Sequence, residues 1–413
     1  MNNRIEAAGP ISRRRLLGTA AGATGLLGLA GCGLGRSGGN GGDGERDGNS
    51  DRPGRVDAPP PEGVLGVNFN SAAAMLRFDE MRDIHATWVR GFLPLRPADG
   101  GDPARQPVLR RLLSAADRGY GTVLSLKFPF DDRPFPTAGS GAMTTQLEFL
   151  DKVLAAALNR VDVLAIGNEP FLECRPAQRG APLNAFYEHV ARHIIDYRAK
   201  HAGKKSRTRL YMGALNHLDD PAARTPAVDR WLRFAHATPE IEGVDIHPHA
   251  GDPGAGQHYL DYILPRLRKD QRFLVTEFSL VRLWQKHITD PVPAAYAARY
   301  PAAHGAPVWR VIRNAIERPF PQRRWDDFLA ALPVFHANRH YLTREVERYR
   351  GTGRLAVATY TLSQGAAMLR DFTPRKPPWL LNSMFCPGTV RARPGGLPGR
   401  NTTWTTQFRA LQK

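Results

Sequence analysis

Residues 161–170 read VDVLAIGNEP, an apolar run that ends in an amide, a carboxylate and a proline. A similar run occupies residues 273–279 and reads FLVTEFS. Short runs of β-branched and aliphatic residues that end in polar or turn-forming residues are typical of buried strands in a parallel sheet. Each run therefore predicts a strand with a carboxylate, Glu169 or Glu277, at its C-terminal end.

Similar apolar runs recur along the chain and alternate with amphipathic stretches. Eight predicted strands occupy residues 64–70, 87–92, 122–128, 161–168, 209–216, 243–249, 273–278 and 355–361. Predicted helices between them include residues 109–118, 146–159, 183–201, 227–236 and 259–269. This alternation predicts an α/β fold, a (β/α)8 TIM barrel, whose active site lies at the C-terminal ends of the strands.

The connection between predicted strands 7 and 8 is unusually long. It runs from Val281 to Arg354, where a few residues are usual, so we expect a long insertion that covers part of the cleft. After the last strand, residues 377–399 are rich in Pro, Gly and Arg and are expected to be irregular. Residues 404–411 are expected to form the closing helix.

The N-terminal residues predict export from the cytoplasm. Residues 12–17 read SRRRLL and precede a weakly apolar stretch, which resembles a twin-arginine export signal. Residues 29–32 read LAGC and resemble a lipobox with Cys32 as the lipidated residue. We therefore expect a signal peptide at residues 1–31, a disordered tether at 32–62, a catalytic domain at 63–413, and a lipid anchor on the outer face of the cell membrane. A secreted protein or a transmembrane helix are the alternatives, and the many glycines of the stretch disfavour the helix.

The chain is strongly basic, with 57 Lys and Arg against 39 Asp and Glu. Such an excess favours anionic envelope polymers, anionic lipid head groups or an acidic substrate as partners, although scattered arginines are also common on ordinary surfaces. No nucleic-acid-binding motif is present, and we expect a monomer without cofactor or metal. Cys174 and Cys386 remain after lipidation, either as a disulfide or as two buried thiols.

Two carboxyl groups that face one cleft suit the cleavage of a glycosidic bond. The leaving oxygen is a poor base, so one carboxyl must donate a proton, which requires a pKa raised by burial or by a neighbouring carboxylate. The other carboxylate stays ionised and attacks the anomeric carbon, and in retaining enzymes the two lie about 5 to 5.5 Å apart. Glu169 and Glu277 are the candidates for this pair.

GNEP at residues 167–170, on the fourth predicted strand, and TEF at 276–278, on the seventh, resemble the signature of clan A glycoside hydrolases. Members of that clan share a (β/α)8 barrel and retain the anomeric configuration. The resemblance implies that Glu169 is the acid/base, Glu277 the nucleophile and Asn168 a donor to the sugar 2-hydroxyl. It covers roughly residues 63–371 through short motifs rather than through continuous similarity.

Further cleft residues follow from strand ends. Arg90, at the end of the second strand, is expected to keep the nucleophile charged, as clan members often have arginine there; a rim ion pair is the alternative. His247 and His249 lie at i and i+2 after the sixth strand and so on the same side. The resemblance implies that they orient nucleophile and sugar, whereas a metal-dependent hydrolase would use them as ligands.

Aromatic side chains that stack on sugar rings are also expected in such a cleft. Trp284, after the second carboxylate, and Tyr360, on the eighth strand, are the predicted platforms. Clan members often have tryptophan at the eighth-strand position, where this chain has tyrosine. Asn216 after the fifth strand and Lys127 after the third are expected to line the cleft, with a position on its solvated rim as the alternative for each.

These observations predict a retaining glycoside hydrolase that cleaves an extracellular or cell-envelope poly- or oligosaccharide by double displacement. The alternatives are a non-catalytic carbohydrate-binding barrel and a metal-dependent hydrolase that uses His247 and His249.

Overall fold

The computed structural model describes residues 61–201 and 206–412 of the 413-residue chain. The predicted signal peptide, the lipobox cysteine Cys32 and all but the last two residues of the predicted tether lie outside the described residues. Within these ranges no helix is both long and apolar enough to cross a membrane.

Eight parallel strands pair in sequence order, and the eighth pairs with the first to close a barrel. The predicted (β/α)8 architecture is therefore confirmed. The strands are β1 (Val64–Asn70), β2 (Trp88–Pro94), β3 (Gly121–Lys127), β4 (Val163–Ile166), β5 (Arg209–Asn216), β6 (Ile241–His247), β7 (Arg272–Val275) and β8 (Leu355–Thr361).

Helices connect the strands around the outside of the barrel. Those before β7 are α1 (Phe78–Asp83), α2 (Pro107–Ala116), α3 (Gly141–Ala157), α4 (Ala181–His201), α5 (Pro226–Ala237) and α6 (Ala255–Ile263). Those after it are α7 (Val281–Lys286), α8 (Ala294–Arg299), α9 (Val308–Glu317), α10 (Gln322–Ala331), α11 (Pro333–Ala337), α12 (Tyr341–Gly351), α13 (Ala366–Leu369) and α14 (Thr402–Ala410). The six from α7 to α12 lie between β7 and β8.

The barrel interior is apolar in one layer and polar in the next. Successive residues of a strand point to opposite faces, so residues two apart share a face. On β3, Val123 belongs to a buried apolar cluster with side chains of β4, β5, β7 and β8, whereas Ser125 lies beside the Arg90 guanidinium. The polar layer is therefore nearer the C-terminal ends of the strands, where function is expected in this fold.

The two cysteines of the described part of the chain are free and buried. Cys174 follows β4 and Cys386 follows β8. Burial raises the pKa of the Cys174 thiol to about 11, so this thiol is a poor nucleophile at neutral pH.

Candidate active site

The chain leaves β4 through a strained turn that carries Glu169. This residue has a φ of 83°, in the left-handed region that non-glycine residues seldom adopt. Its carbonyl accepts hydrogen bonds from the backbone N–H groups of Leu172 and Glu173, at 2.9 and 3.0 Å, which hold the turn. Such strain costs about 1–3 kcal/mol and persists only where the surroundings enforce it. This turn thus sets the direction in which the Glu169 side chain leaves the strand.

A glycine on the neighbouring strand makes room for this turn. A Cβ on Gly213 of β5 would lie 2.1 Å from the carbonyl oxygen of Gly167, far closer than any real contact. Gly167 itself has a φ of 111° and lies two residues before Glu169. Both glycines are therefore required for the close approach of β4 and β5 at the cleft.

The strand ends bring Glu169 and Glu277 together. One carboxylate oxygen of each glutamate and one ring nitrogen each of His247 and His249 all lie within 4.8 Å of one another. The side chains of Glu169 and Glu277 are 16% and 14% exposed, so both are largely buried but still reach the surface of the cleft. Residues 108 positions apart in the sequence thus form one acidic pair.

Arg90 connects the second carboxylate to the polar layer of the barrel. Its side chain is fully buried and donates from Nη1 to Glu277 Oε1 at 2.6 Å and from Nε to Ser125 Oγ at 3.0 Å. Its Nη2 donates to Asn168 Oδ1. The predicted position beside Glu277 is therefore observed, and the rim ion pair is not.

Glu277 is held in its ionised form. Burial alone raises the pKa of this carboxyl, but the positive charges of His247 and Arg90 outweigh burial and place its pKa well below the usual range. The nearest atoms are Arg90 Nη1, at 2.6 Å, and His249 Nε2, at 3.6 Å from Oε2. A carboxylate in this environment is negative at neutral pH and available as a nucleophile.

Hydrogen bonds behind His247 fix where its protons lie. Thr276 donates its hydroxyl hydrogen to Asp245 Oδ2 at 2.5 Å, and its backbone N–H donates to Oδ1 at 3.0 Å. The Thr276 hydroxyl oxygen, 2.8 Å from His247 Nε2, therefore has only lone pairs to offer and accepts the Nε2–H. His247 Nδ1 then faces Glu169 Oε1 at 3.2 Å with one proton between them, on either the imidazole or the carboxyl.

In this arrangement the shared proton belongs to the imidazole. Burial raises the pKa of Glu169, but the hydrogen bond from His247 and the nearby charges bring the pKa down to about 2. Burial lowers the pKa of His247, but Glu277, Asp245 and Glu169 together raise the pKa to about 9. Because the two groups exchange one proton, they titrate as a pair.

Two further predicted residues complete the surroundings of Glu169. Asn216 donates from Nδ2 to Glu169 Oε1 at 2.9 Å. His249 Nε2 lies 3.8 Å from Glu169 Oε1 and 3.6 Å from Glu277 Oε2, between the carboxylates, while its Nδ1 is 2.8 Å from Ser279 Oγ. The structure thus brings together Asn168, Asn216 and both histidines around the acidic pair.

The same four side chains are the residues that offer ligand atoms for a metal ion within the described ranges. Arg90 already neutralises Glu277 at 2.6 Å, and a divalent cation on that carboxylate would face the guanidinium charge at short range. His247 Nδ1 is engaged with Glu169 through a proton that a metal would displace. The donor set therefore suits proton transfer better than metal binding.

The prediction that Trp284 and Tyr360 stack on the sugar is wrong, because both rings are buried. Trp284 is 2% exposed, stacks on Phe335 of α11 and donates its indole N–H to Asn382 at 2.9 Å, so it is part of the buried core. Tyr360 is fully buried, with its ring against Phe278. Burial against later parts of the chain removes both ring faces from the cleft.

An aromatic side chain that the sequence analysis missed does border the site. Trp379 is partly exposed, and its ring meets that of His249 edge to face at a centroid distance of 4.9 Å. It begins a short 3-10 helix, Trp379–Asn382, inside the stretch that was expected to be irregular. Its signal was a tryptophan beside two prolines, which does not reveal which part of the barrel the residue reaches.

A third buried carboxylate, Glu173, was also missed. It forms an ion pair with Lys127, and its Oε1 accepts from Asn168 Nδ2 at 2.8 Å. Lys127 therefore lies beside the site, as expected. It contacts the site through Glu173, which no sequence motif indicated. Burial raises the pKa of Glu173, and Lys127 acts against that rise.

Comparison with known proteins gives distant structural similarity. No protein-family model matches the chain, and no curated protein sequence matches it. SrfJ from Salmonella typhimurium is 14% identical over 85% of this chain and 75% of that chain, with a TM-score of 0.47. The GH53 catalytic domain of Ignisphaera aggregans is 14% identical over 87% and 98%, with a TM-score of 0.44.

Gas2p of Saccharomyces cerevisiae, solved with laminaritetraose and laminaripentaose, is 10% identical. The alignment covers 86% of this chain and 64% of that chain, with a TM-score of 0.46. At such low values, the function of this chain has to be argued from its own site.

Proposed function

We propose that this protein is a retaining glycoside hydrolase in which Glu277 is the nucleophile and Glu169 the acid/base. The observation that carries the proposal is the approach of the two carboxylates, whose oxygens lie within 4.8 Å across one cleft. Retaining enzymes place these groups about 5–5.5 Å apart, whereas inverting enzymes need about 6.5–9.5 Å to admit a water molecule.

The partners of the two carboxylates divide the roles between them. Glu277 lies against the permanent charge of Arg90 and stays ionised, which suits attack on the anomeric carbon. Glu169 lies against His247, and the pair holds one proton. That proton is the one a leaving oxygen requires.

The reaction then has two balanced steps. Glu277 forms a bond to the anomeric carbon as the bond to the leaving oxygen breaks, and that oxygen takes the proton of the Glu169–His247 pair through Glu169. In the second step Glu169 removes a proton from water, the water oxygen bonds to the anomeric carbon, and Glu277 is released as a carboxylate. The pair thereby regains its proton.

The test compares variants on aryl glycosides and cell-wall polysaccharides. Glu277→Ala is expected to lose activity by about 10⁴-fold or more and to regain it with azide, which forms a glycosyl azide of inverted configuration. Glu169→Ala is expected to lose activity mainly on substrates with poor leaving groups. Glu317→Ala, which removes an exposed carboxylate paired with Arg313, serves as control. A Glu277→Ala enzyme with full activity would remove the nucleophile assignment.

The two alternatives give different results in the same assay. A metal-dependent hydrolase would lose activity on dialysis against EDTA and recover with zinc, whereas we expect no change. A carbohydrate-binding barrel would retain polysaccharides in affinity electrophoresis without producing reducing ends. Release of reducing sugar by the wild type but not by Glu277→Ala excludes that alternative.

We also propose that the enzyme works outside the cytoplasm as a lipid-anchored protein. The support is the sequence SRRRLL at residues 12–17 and LAGC at 29–32. Cys32→Ala is expected to move the protein from the membrane fraction to the soluble fraction, and substitution of the arginine pair at 13–14 by lysine to prevent export. Unchanged membrane association of Cys32→Ala would contradict the anchor.

A further inference from the structure

The mechanism above leaves Glu173 unused, although it is a buried charge beside the acid/base. Its side chain is 8% exposed, and its Oε2 has no hydrogen-bond partner within the described part of the chain. Even in an ion pair such as that with Lys127, the cost of removing a carboxylate from water can exceed the Coulombic gain, so the retention of this group calls for a reason. The residue lies four positions after Glu169, in the loop between β4 and α4.

The backbone around Glu173 is anchored at both ends. Its N–H donates to the Glu169 carbonyl at 3.0 Å, and its carbonyl accepts from the Phe130 N–H at 2.9 Å in the loop after β3. The side chain is held by the Lys127 ammonium, which also lies 5.2 Å from the centre of the Phe92 ring. Glu173 is therefore a fixed point beside the cleft rather than a mobile surface group.

This fixed point determines the orientation of Asn168. A guanidinium only donates, so the amide atom that faces Arg90 must be the oxygen. An ionised carboxylate only accepts, so the atom that faces Glu173 must be the NH2 group, and the 2.8 Å contact agrees. Arg90 and Glu173 thus determine which amide atom is oxygen, which is nitrogen, and how the plane of the amide is oriented.

One donor of Asn168 remains available. The NH2 group has two hydrogens, and within the described ranges Glu173 takes one of them. The amide directly precedes Glu169 in the chain and shares Arg90 with Glu277. The direction of the second N–H is therefore already set by Arg90 and Glu173.

We propose that Glu173, held by Lys127, is a positioning residue that aims the free N–H of Asn168 at the hydroxyl next to the scissile bond. The proposal rests on the proposed glycosidase function and on the donor role that the resemblance implies for Asn168, and it adds the residue that orients this donor. Glu173 touches neither the reacting bond nor the proton in transit. It acts through Asn168 alone.

The test measures kcat/KM of the wild type and of each variant on a substrate with the 2-hydroxyl and on the same substrate without it. The probes are the 4-nitrophenyl β-D-glycosides of glucose, galactose, mannose and xylose, each with its 2-deoxy counterpart. The glycoside that the wild type cleaves fastest is used together with its 2-deoxy counterpart. Glu173→Leu removes the acceptor and is expected to lower kcat/KM on the 2-hydroxy substrate about 10- to 100-fold, but that on the 2-deoxy substrate only about two-fold. Glu173→Gln keeps an acceptor oxygen and is expected to restore most of the discrimination.

A matched control separates positioning from general damage. Glu345 on α12 is also a buried carboxylate paired with an arginine, Arg348, at 3.1 Å. Glu345→Leu is expected to lower the melting temperature while leaving the ratio between the two substrates unchanged. If Glu173→Leu does not fold, Glu173→Ser is compared in the same way, because it leaves room for water.

Two outcomes distinguish failure of this inference from failure of the proposed function. Equal losses on the 2-hydroxy and 2-deoxy substrates in a folded Glu173 variant would overturn the positioning role while the enzyme remains a glycosidase. A wild type that cleaves none of the probes and no polysaccharide would overturn the proposed function and this inference with it.

Discussion

Arg90 places a permanent positive charge against Glu277. It contacts Glu277 directly and Asn168 through its other terminal nitrogen, and it is fully buried. Guanidinium groups remain charged at every relevant pH, so this position supplies a constant positive field. The ionised state of Glu277 follows from that field together with the charge on His247.

Arg90→Met is expected to raise the pKa of Glu277, because the lost positive charge no longer favours the carboxylate. Since the nucleophile must be ionised, the acid limb of the kcat/KM profile moves to higher pH, and the plateau falls roughly 10²- to 10³-fold. Arg96→Met is the control, because Arg96 pairs with the exposed carboxylates of Asp131, at 3.8 Å, and Asp132, at 3.7 Å. An acid limb at the wild-type position in Arg90→Met would refute the electrostatic role.

At the level of elements, the approach of β4 to β5 sets the direction of the acid/base. The glycine pair Gly167 and Gly213 lets the two backbones meet where Glu169 leaves its strand. The neighbouring Asn216 on β5 then reaches the Glu169 carboxylate at 2.9 Å. Strand pairing and site geometry are therefore coupled.

Gly213→Ala tests this coupling, because its Cβ would lie 2.1 Å from the Gly167 carbonyl oxygen. We expect the strands to separate, with a loss of about 1–3 kcal/mol in the free energy of unfolding and of at least about tenfold in kcat. Gly180→Ala is the matched control, since its Cβ would have nothing within 4 Å. Activity and denaturant unfolding are measured on both. A Gly213→Ala enzyme as active as Gly180→Ala would show that the close approach is not needed.

The turn after β8 supplies the aromatic contact that Trp284 and Tyr360 do not. Trp379→Ala is expected to raise KM roughly five- to twenty-fold with little change in stability, because a sugar face loses its stacking partner. Tyr360→Leu is expected to do the opposite and lower stability by about 2–4 kcal/mol at unchanged KM, because that ring is fully buried. Initial rates and thermal unfolding distinguish the two. Unchanged KM in Trp379→Ala would reject the platform.

For the whole molecule, the buried charges predict how stability depends on pH. The pKa of His247 is about 9 in the folded protein against an ordinary 6.5, so its contribution is complete below pH 6.5 and is lost as pH rises through 9. Burial raises the pKa of Glu80 to about 7, so its stabilisation is complete below pH 4.5 and is lost as pH rises through 7. The pKa of Glu169 is about 2, so its contribution is complete above pH 4.5 and is lost toward pH 2.

The free energy of unfolding is therefore expected to be greatest near pH 4.5, to fall from there to pH 7 as Glu80 ionises, and to fall further, by an amount on the order of 2 kcal/mol, between pH 6.5 and 9 as His247 loses its proton. Urea unfolding at a series of pH values measures this. His247→Gln should flatten the curve between pH 6.5 and 9, and Glu80→Gln should flatten it between pH 4.5 and 7. A wild-type curve that rises toward pH 9 would contradict these shifts.

The sequence predicted the parts of the molecule that depend on local pattern. Apolar runs that alternate with amphipathic stretches gave the number and order of the strands and the position of Glu169 and Glu277 after β4 and β7. The strand ends were less well defined, because β4 stops at Ile166 and the following residues leave the sheet. Backbone strain at Glu169 has no signal in a single sequence.

Burial of individual side chains depends on distant contacts, which local pattern does not contain. Trp284 is buried because Phe335 stacks on it and Asn382, 98 residues away, accepts its N–H. Glu173 belongs to the site because Lys127 reaches it from another strand, 46 residues away. Trp379 borders the cleft through a turn that follows the last strand.

The most direct test of the account is to trap the glycosyl-enzyme intermediate with 2,4-dinitrophenyl 2-deoxy-2-fluoro-glycosides and to locate the label by peptide mass spectrometry. We expect one sugar per protein, attached to the peptide that contains Glu277 and absent in Glu277→Ala. A label on any other residue, or cleavage of glycosides that first releases the inverted anomer, would contradict it.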